Sequence, residues 1–404
     1  MEQHYFLVEN PLVVHDRVKN VLTIEELENA LGSKQSLKGL AEVVSNINEI
    51  DFWRQLFPKL LKWLIDPLPE CLPLFPSGKN KLASFSIAQV RSILANCFFL
   101  NIKSTGIDTY GELSFSLSFS ATDRIYLERT KCFINYFIRE YFEENLEFPD
   151  MVIERIHVEK HSLPDWKNLE NKLSTENIFV HSKRMEDCLD NNQLDVFKQS
   201  DQNITMVDFA NKQIHIGWIA PSLTQEEILF SCVSECFLSL LLCEQLKDNE
   251  AVLIKNVRRS VEYKGYFLSF RVLNTIKNAP LMDVTIIDAT FQNSFHSTQI
   301  IRDLNKAWIG YQHCGERIST GHWGCGAFGG NPAFKFLQQL CVASVLTKKL
   351  SYSTFMDEAC KQKFNLLLEK TNGKSVADVV NFLISYKQNC NHSKFDDYCA
   401  TFFV

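Results

Sequence analysis

The chain has 404 residues, a hydrophobic content of 46% and a formal net charge of −6 at pH 7. This length exceeds one typical core, so we expect two structural units. The negative net charge argues against a general nucleic-acid-binding protein, and the lack of any run of eighteen apolar residues excludes a transmembrane helix.

The first part of the chain, residues 1–130, has the pattern of helices. Within residues 84–100, apolar side chains recur at helical spacing, after a connector with four prolines between positions 67 and 76. We interpret residues 1–130 as a helical accessory region without chemistry of its own.

The second part, residues 131–404, alternates predicted strands and helices. The expected strands are 151–158, 204–209, 214–219, 251–255, 265–272, 284–289 and 350–355, and the expected helices are 227–246 and 333–346. The polar stretch 172–202 has no clear period and is expected to be a surface excursion. This alternation predicts an α/β fold with helices on the faces of a sheet.

The thirteen cysteines do not indicate a metal or disulfide site. No C-x-x-C pair occurs, and Cys232 and Cys236 lie four residues apart on a predicted apolar helix, where buried thiols are the more common case. The odd count, and an N-terminus without the basic and apolar segments of a signal peptide, indicate a reducing, intracellular location. We expect neither a metal nor a cofactor.

Polar residues are grouped in two segments that lie close together in the sequence, and such groups are unusual in core segments. Asp208 and Asn211 lie at the end of a predicted strand. Gln225 stands fourteen residues after Asn211, and Glu226 and Glu227 follow it at the start of a predicted helix. Two acids in a first helical turn are commonly just a favourable start for the helix. Paired with the preceding Asp and Asn, they also fit glycosidic cleavage, which needs a carboxyl group as acid and then as base.

A glycine-rich segment lies about a hundred residues further on, at 324–330, with the sequence GCGAFGG. Glycines let backbone amides approach a phosphate closely. The same composition is found in tight strand-to-helix connections, so the segment alone leaves both interpretations open.

Together these segments resemble the poly(ADP-ribose) glycohydrolase family. The matching runs are SIAQVRSILANCFF, PDWKNLENKL, VDFAN, LTQEEI, EYKGY, LNKAW, HWGCGAFGG and YSTFMD, in this order along the chain. The resemblance implies a macrodomain-like mixed sheet flanked by helices, at residues 131–404, behind an N-terminal helical region. It implies hydrolysis of ribose–ribose O-glycosidic bonds of poly(ADP-ribose), with release of ADP-ribose.

The resemblance also implies roles for individual residues. Glu227 would be the proton donor and later the base for water, Glu226 would bind ribose hydroxyls, and Asp208 would hold the distal ribose and the catalytic loop. The remaining substrate-binding residues would be Asn211 and Gln225 near the ribose, Gly326, Ala327 and Phe328 at the diphosphate, and Tyr266 and Phe355 at the adenine. Core packing is the alternative for Tyr266 and Phe355, especially for Phe355 among 31 phenylalanines.

Two departures from the family pattern bear on the prediction. Where the family has three consecutive glycines, this chain has His215-Ile216-Gly217, and we expect a reshaped loop there. The adenine-reading acid that the family carries shortly before VDFAN is missing near Lys198. These departures keep a second hypothesis open, a weak or inactive homologue that binds ADP-ribose as a reader; a scaffold without binding is the third.

The partners implied are poly(ADP-ribose) or ADP-ribosylated proteins. We expect no membrane and no sequence-specific nucleic acid as partner, a monomer, and residence in the nucleus, the cytoplasm or both.

Overall fold

The fold is built on one eight-stranded mixed sheet. The structure, a computed structural model, describes residues 3–32, 36–189, 203–215, 222–291 and 295–386, together with Phe395 and Cys399. The strands are β1 Gln3–His4, β2 Leu72–Pro73, β3 Lys81–Phe85, β4 Met151–His157, β5 Ile178–His181, β6 Ile204–Ala210, β7 Glu250–Val257, β8 Val261–Lys264, β9 Arg271–Thr275, β10 Met282–Asp288, β11 Arg317–Thr320 and β12 Lys349–Ser353. The central sheet has the order β3-β4-β7-β10-β6-β11-β12-β5, and the pairs β1-β2 and β8-β9 form small separate sheets.

The direction of the strands places several carboxyl ends at one edge. β10, β6, β11, β12 and β5 pair in parallel, whereas β7 is antiparallel to both β10 and β4, and β3 is antiparallel to β4. Parallel strands end at the same edge of a sheet, where ligands of α/β proteins bind. The segments that follow β6, β10, β11 and β12 therefore converge.

Thirteen α-helices surround the sheets in the described ranges. They are α1 Pro11–Val18, α2 Ile24–Leu31, α3 Lys38–Ser45, α4 Phe57–Leu64, α5 Ile87–Phe98, α6 Ser116–Ser120, α7 Arg124–Glu143, α8 Gln225–Cys232, α9 Leu238–Leu242, α10 Ser297–Gln312, α11 Pro332–Val345, α12 Glu358–Thr371 and α13 Val376–Ser385. α5 begins with a capping box of Ser86 and Gln89, which explains its sharp start. The α/β prediction is confirmed, as are the predicted helices of α5 and α11 and the strands β4, β6, β7, β10 and β12.

Two predicted elements differ from the structure. The helix expected at 227–246 is interrupted at Val233, because the Cys232 carbonyl accepts from the Ser260 amide at 2.7 Å. A 3₁₀ turn, Ser234–Phe237, connects α8 with α9. The strand expected at 265–272 is instead a loop and the start of β9, since Gly265 reverses the chain with φ +79°. The strand expected at 214–219 extends beyond the described residues after His215, which lies in a turn.

The helical region and the sheet share one core. The first 130 residues are mainly helical but also supply β3. Three strands of the central sheet, β3, β5 and β11, were not predicted, and β5 lies in the stretch expected to be a surface excursion. The predicted boundary at 130/131 falls inside α7. Val252 and Ile254 of β7 point into a hydrophobic cluster that reaches back to Phe6, whereas Ala251 and Leu253 point into a second cluster on the other face.

A buried charge network joins α7 to the sheet-side elements. Arg139 is fully buried and donates to Glu140 at 2.9 Å, to Glu235 at 2.6 Å and to the Arg258 carbonyl at 2.7 Å. The Arg258 side chain in turn contacts Glu140 and Glu143. These charges lie away from water, so each depends on its partners.

The described helices include none that is both long and apolar enough to cross a bilayer. In the same ranges no three His, Cys, Asp or Glu side chains are grouped as a metal site.

Replacement of the buried cation tests this network. We expect Arg139→Met to lower the free energy of unfolding by about 3–5 kcal/mol, because Glu235 loses its ion pair while it stays buried and Glu140 loses one of its cationic partners. Urea denaturation measures the loss. The control is Arg17→Met, which removes a surface pair with Glu9 and should cost less than about 1 kcal/mol. Equal losses in the two variants would contradict the assignment.

Candidate active site

A cavity of about 440 Å³ opens at the edge where the parallel strands end. This volume lies within the ~300–1,000 Å³ range of small-molecule sites. Its walls come from the segments after β6, β10, β11 and β12 and from the first turn of α8; the lining includes Asn211, Gln225, Glu226, Glu227, Tyr266, Gly326, Ala327, Phe328 and Phe355. Every predicted site residue except Asp208 therefore lines one cavity.

Gln225 fixes the start of α8 against β6. Its Oε1 accepts from the Phe209 amide at 2.8 Å, and its Nε2 donates to the Val207 carbonyl at 3.0 Å. Both polar groups of the Gln225 side chain thus bond to the β6 backbone, as the backbone of a neighbouring strand would. We expected Gln225 to bind substrate; this geometry gives it a positioning role.

Glu227 lies on the cavity wall with one oxygen tied to the preceding loop. Its Oε2 accepts from the Thr224 amide at 2.7 Å, from the Thr224 hydroxyl, and from the Ser222 hydroxyl at 3.3 Å. The contact with the Thr224 amide belongs to a capping box, so Glu227 does stabilise the start of α8. Its Oε1 makes no hydrogen bond to a described residue, which leaves this oxygen for a ligand.

Arg129 of α7 supports the same loop. Its side chain is almost fully buried and donates to the Ser222 carbonyl. Burial lowers the pKa of Arg129, and the nearby Glu227 carboxylate opposes this effect. The sequence interpretation gave the helical region no role in the site, so this residue was missed. No local signal marked it, because α7 carries other charged side chains such as Lys131 and Arg139.

Asp208 lies beneath the cavity, fully buried at the end of β6. Burial, and then the charge of Glu227, raise its pKa well above the ordinary value of 3.8. Burial also raises the pKa of Glu226, together with Asp208 and Glu227, although the amides of His215 and Asn211 oppose the rise. Asp208 and Glu226, packed away from water, therefore favour forms that carry a proton.

The glycine-rich segment forms a tight loop between β11 and α11. The Gly330 amide donates to the Gly324 carbonyl at 2.9 Å, and Gly324 has φ +73° with no room for a Cβ beside Ala289. The amides of Gly326, Ala327 and Phe328 donate to no acceptor in the described chain, yet all three residues line the cavity. Successive amides without acceptors are suited to an anion.

A buried lysine supports this loop from below. The Lys335 side chain pairs with Asp303, and its ammonium lies 4.8 Å from the centre of the Trp323 ring. Its Cε lies 3.3 Å from the position that a Cβ on Gly330 would take. Burial opposes the charge on Asp303, but Lys335 and Arg302 hold the pKa of Asp303 below its ordinary value.

Aromatic side chains occupy another part of the cavity wall. Tyr266 and Phe355 meet edge to face with centroids 5.1 Å apart, and both are partly exposed. Core packing is thereby excluded for Phe355, which is 45% exposed. Glu186 also lines the cavity and accepts from the Tyr263 hydroxyl at 2.8 Å.

Glu186 was missed by the sequence interpretation, which looked for an adenine-reading acid near Lys198. Residues 197–199 lie outside the described residues. The available signal was the acid-containing segment after β5, but its distance of twenty-two residues from Asp208 in sequence hid it.

His215 adopts the backbone conformation that a glycine would take most easily, with φ +53°. Its ring is buried and stacks on Phe230 with centroids 4.6 Å apart, and its amide donates to Glu226. The side chain therefore packs into the core and does not line the cavity. Ile216 and Gly217 lie outside the described residues.

Two glycine substitutions separate loop stability from ligand binding. Gly324→Ala should lower the stability by at least about 1 kcal/mol, because its φ is positive and the new Cβ would lie 2.5 Å from that of Ala289. Gly326→Ala should leave the stability within about 0.5 kcal/mol, since no protein atom lies within 4 Å of its Cβ. Its methyl group would instead reduce binding of an anion at the loop amides. Melting curves with and without inorganic pyrophosphate report both effects, and equal destabilisation would contradict this loop geometry.

Asp208 and Asp303 should change the pH dependence of stability in opposite directions. Because the pKa of Asp208 is raised in the folded state, wild-type stability falls as the pH rises above about 4. Asp208→Asn should lack that fall and melt higher than wild type near neutral pH. The pKa of Asp303 is lowered, so its ion pair stabilises the folded protein above about pH 4. In that pH range Asp303→Asn should lower the free energy of unfolding by about 3–5 kcal/mol. Melting curves between about pH 4 and pH 8 test both signs; destabilisation by Asp208→Asn would contradict the first.

Two family sequence models match this chain. The poly(ADP-ribose) glycohydrolase (PARG) helical domain matches residues 44–155, and the PARG Macro domain fold matches residues 165–362. The first match includes β3 and α7, and the second covers the whole candidate site.

Individual relatives agree with these matches. Poly(ADP-ribose) glycohydrolase 1 of Caenorhabditis elegans is 24% identical over 393 residues, which cover 89% of this chain and 47% of that protein. Poly(ADP-ribose) glycohydrolase 2 of the same species is 25% identical and is covered to 73%. This chain thus spans about half the length of the first relative.

The crystal structure of poly(ADP-ribose) glycohydrolase from Deinococcus radiodurans in complex with ADP-ribose is 10% identical, with a TM-score of 0.36, over 50% of this chain and 88% of that chain. The family assignment depends on the two sequence matches. Since the helical and macrodomain family models both match, in the expected order, the chain belongs to the poly(ADP-ribose) glycohydrolase family.

Proposed function

We propose that the chain hydrolyses the ribose–ribose O-glycosidic bonds of poly(ADP-ribose) and releases ADP-ribose. The observation that carries the proposal is the presence, in one cavity, of the Glu227 carboxyl group and three amides without acceptors at Gly326, Ala327 and Phe328. The first is an acid for a glycosidic oxygen, and the second is a cradle for a diphosphate.

Glu227 would act twice in this reaction. It first gives its proton to the oxygen that leaves the anomeric carbon, so that the shortened polymer departs with a free hydroxyl. It then takes a proton from the water that attacks the anomeric carbon, which yields ADP-ribose and restores the acid. The contacts of Oε2 with Thr224 and Ser222 would hold the carboxyl group in place, so that Oε1 carries out the transfer.

The neighbouring carboxyl groups would prepare the site. Glu226, fixed by the His215 amide, would bind ribose hydroxyls from the cavity wall. Asp208 and Asn211 would shape the loop that holds the distal ribose, with Asp208 acting from beneath. Positive charge that develops on the ribose would be stabilised by the substrate's own diphosphate, which the loop amides bind.

The aromatic part of the cavity would take the adenine. Tyr266 and Phe355 present ring surfaces at the cavity, and base stacking on aromatic side chains is worth about 1–3 kcal/mol per base. We propose that Glu186, held by the Tyr263 hydroxyl, accepts from the adenine amino group in the role that Lys198 cannot perform. Free poly(ADP-ribose) and ADP-ribosylated proteins are the proposed partners.

The reader hypothesis depends on the altered glycine triplet. His215 takes the strained backbone conformation, and its ring points into the core. The described part of the altered segment therefore supports hydrolysis rather than a blocked cavity. Calorimetry distinguishes the two hypotheses, because a reader binds ADP-ribose tightly without turnover.

Replacement of the proposed acid tests hydrolysis. We expect Glu227→Gln to lower ADP-ribose release from automodified polymerase by at least about a hundredfold, since the amide can neither donate nor take the proton. Chromatography of the released nucleotide measures the effect.

Ser375→Ala is the control, because it alters the cap of α13 and leaves the cavity unchanged. Wild type and Glu227→Gln releasing equally little would refute the hydrolase. If the wild-type protein binds ADP-ribose but releases none from the polymer, glycines restored at 215 and 216 test whether the altered loop causes the loss of activity.

A further inference from the structure

An apolar surface continues from the aromatic wall of the cavity to the outside of the protein. The loop between β8 and β9 carries Phe267 and Leu268, which are 42% and 64% exposed, directly after Tyr266. The loop after β12 carries Met356, which is 76% exposed, directly after Phe355. We call Phe267, Leu268 and Met356 the outer platform; the Tyr266–Phe355 ring contact joins its two halves.

The outer platform is held in a fixed shape. Phe267 and Met356 have φ values of +50° and +66°, a conformation that bulky side chains rarely adopt. The first loop is closed by hydrogen bonds from the Tyr266 amide to the Ser269 hydroxyl at 2.9 Å and from the Phe267 amide to the Leu223 carbonyl at 3.1 Å. Strained residues held by surrounding contacts are concentrated at ligand sites.

Two cations stand at the base of the same loop. Lys264 and Arg271 are direct partners across the β8–β9 pair, and neither makes an ion pair with an acid in the described ranges. Arg271 donates to the Leu268 carbonyl at 3.4 Å, which places its guanidinium beside the outer platform. The nearest acid on the strand, Glu262, lies within 4.0 Å of Arg184 and within 3.7 Å of Arg259.

An exposed aromatic side chain beside cations is typical of surfaces that stack a base and bind its phosphates, and Phe267 supplies such a ring beside Lys264 and Arg271. We propose that the outer platform, with Lys264 and Arg271, is a second nucleotide subsite, which binds the ADP-ribose unit adjacent in the polymer to the unit in the cavity. The inference rests on the proposed function and adds to it a preference for oligomers over free ADP-ribose.

Binding measurements in a Glu227→Gln background test the subsite, because the oligomer then survives. Calorimetry compares ADP-ribose with a three-unit ADP-ribose oligomer. The Glu227→Gln protein should bind the oligomer more tightly than it binds ADP-ribose. Leu268→Ser combined with Met356→Ser should weaken oligomer binding about tenfold and leave ADP-ribose binding unchanged, because neither residue lines the cavity. Leu82→Ser, at a 59% exposed position of β3, is the matched control and should change neither.

Lys264→Gln provides an independent measurement. It should weaken oligomer binding and reduce the salt dependence of that binding, because one phosphate contact is lost. An equal ratio of oligomer affinity to ADP-ribose affinity in the Glu227→Gln protein with and without the two serine substitutions would refute the second subsite. That result would leave the proposed hydrolase activity unaffected. If the background binds neither compound and wild type releases no ADP-ribose, both proposals fail.

Discussion

The position of α8, which carries Glu226 and Glu227, depends on the side-chain amide of Gln225. β10 pairs with β6 along its full length, but β11 pairs with it only at Thr205 and Met206. Gln225 supplies hydrogen bonds to the next free backbone groups of β6 and so takes the place of the missing strand residues. This contact brings the two glutamates of α8 to the carboxyl edge of the sheet, where the loop after β11 also ends. The same contact therefore helps to fix Glu227 relative to the amides of the glycine-rich loop.

A second layer of support comes from the helical region. Arg129 holds the Ser222 carbonyl, and Ser222 contacts Glu227, so α7 determines the path of the loop in front of the acid. Further along the same helix, Arg139 and its buried partners fix α7 against the segment that follows α8. The site is therefore assembled from both parts of the chain. The carboxyl cluster at its centre opposes stability, and the surrounding ion pairs and packing offset that cost.

The sequence predicted much of this arrangement, for identifiable reasons. β4 alternates apolar and charged residues, β6 and β10 are short apolar runs, and α11 has the pattern of a helix. The resemblance to the family supplied the ten site residues, and nine of them line one cavity. The interruption at Val233 was not predictable, because it depends on a contact with Ser260, which is distant in sequence. β3 and β5 are short edge strands without clear alternation. The roles of Gln225 and Arg129 depend on hydrogen bonds that no local pattern encodes.

The hydrophobic cluster on one face of the sheet runs without interruption from Phe6 to Ile286. Two domains joined by a linker are exchangeable during evolution, because each keeps its own interior. Here side chains of the helices before α7 belong to the same hydrophobic cluster as those of β4, β7 and β10, and β3 completes the sheet edge. Loss of the N-terminal third would expose a face that a free-standing macrodomain must cover in another way. The two modules are consequently expected to be inherited together, and to change together, in proteins built like this one.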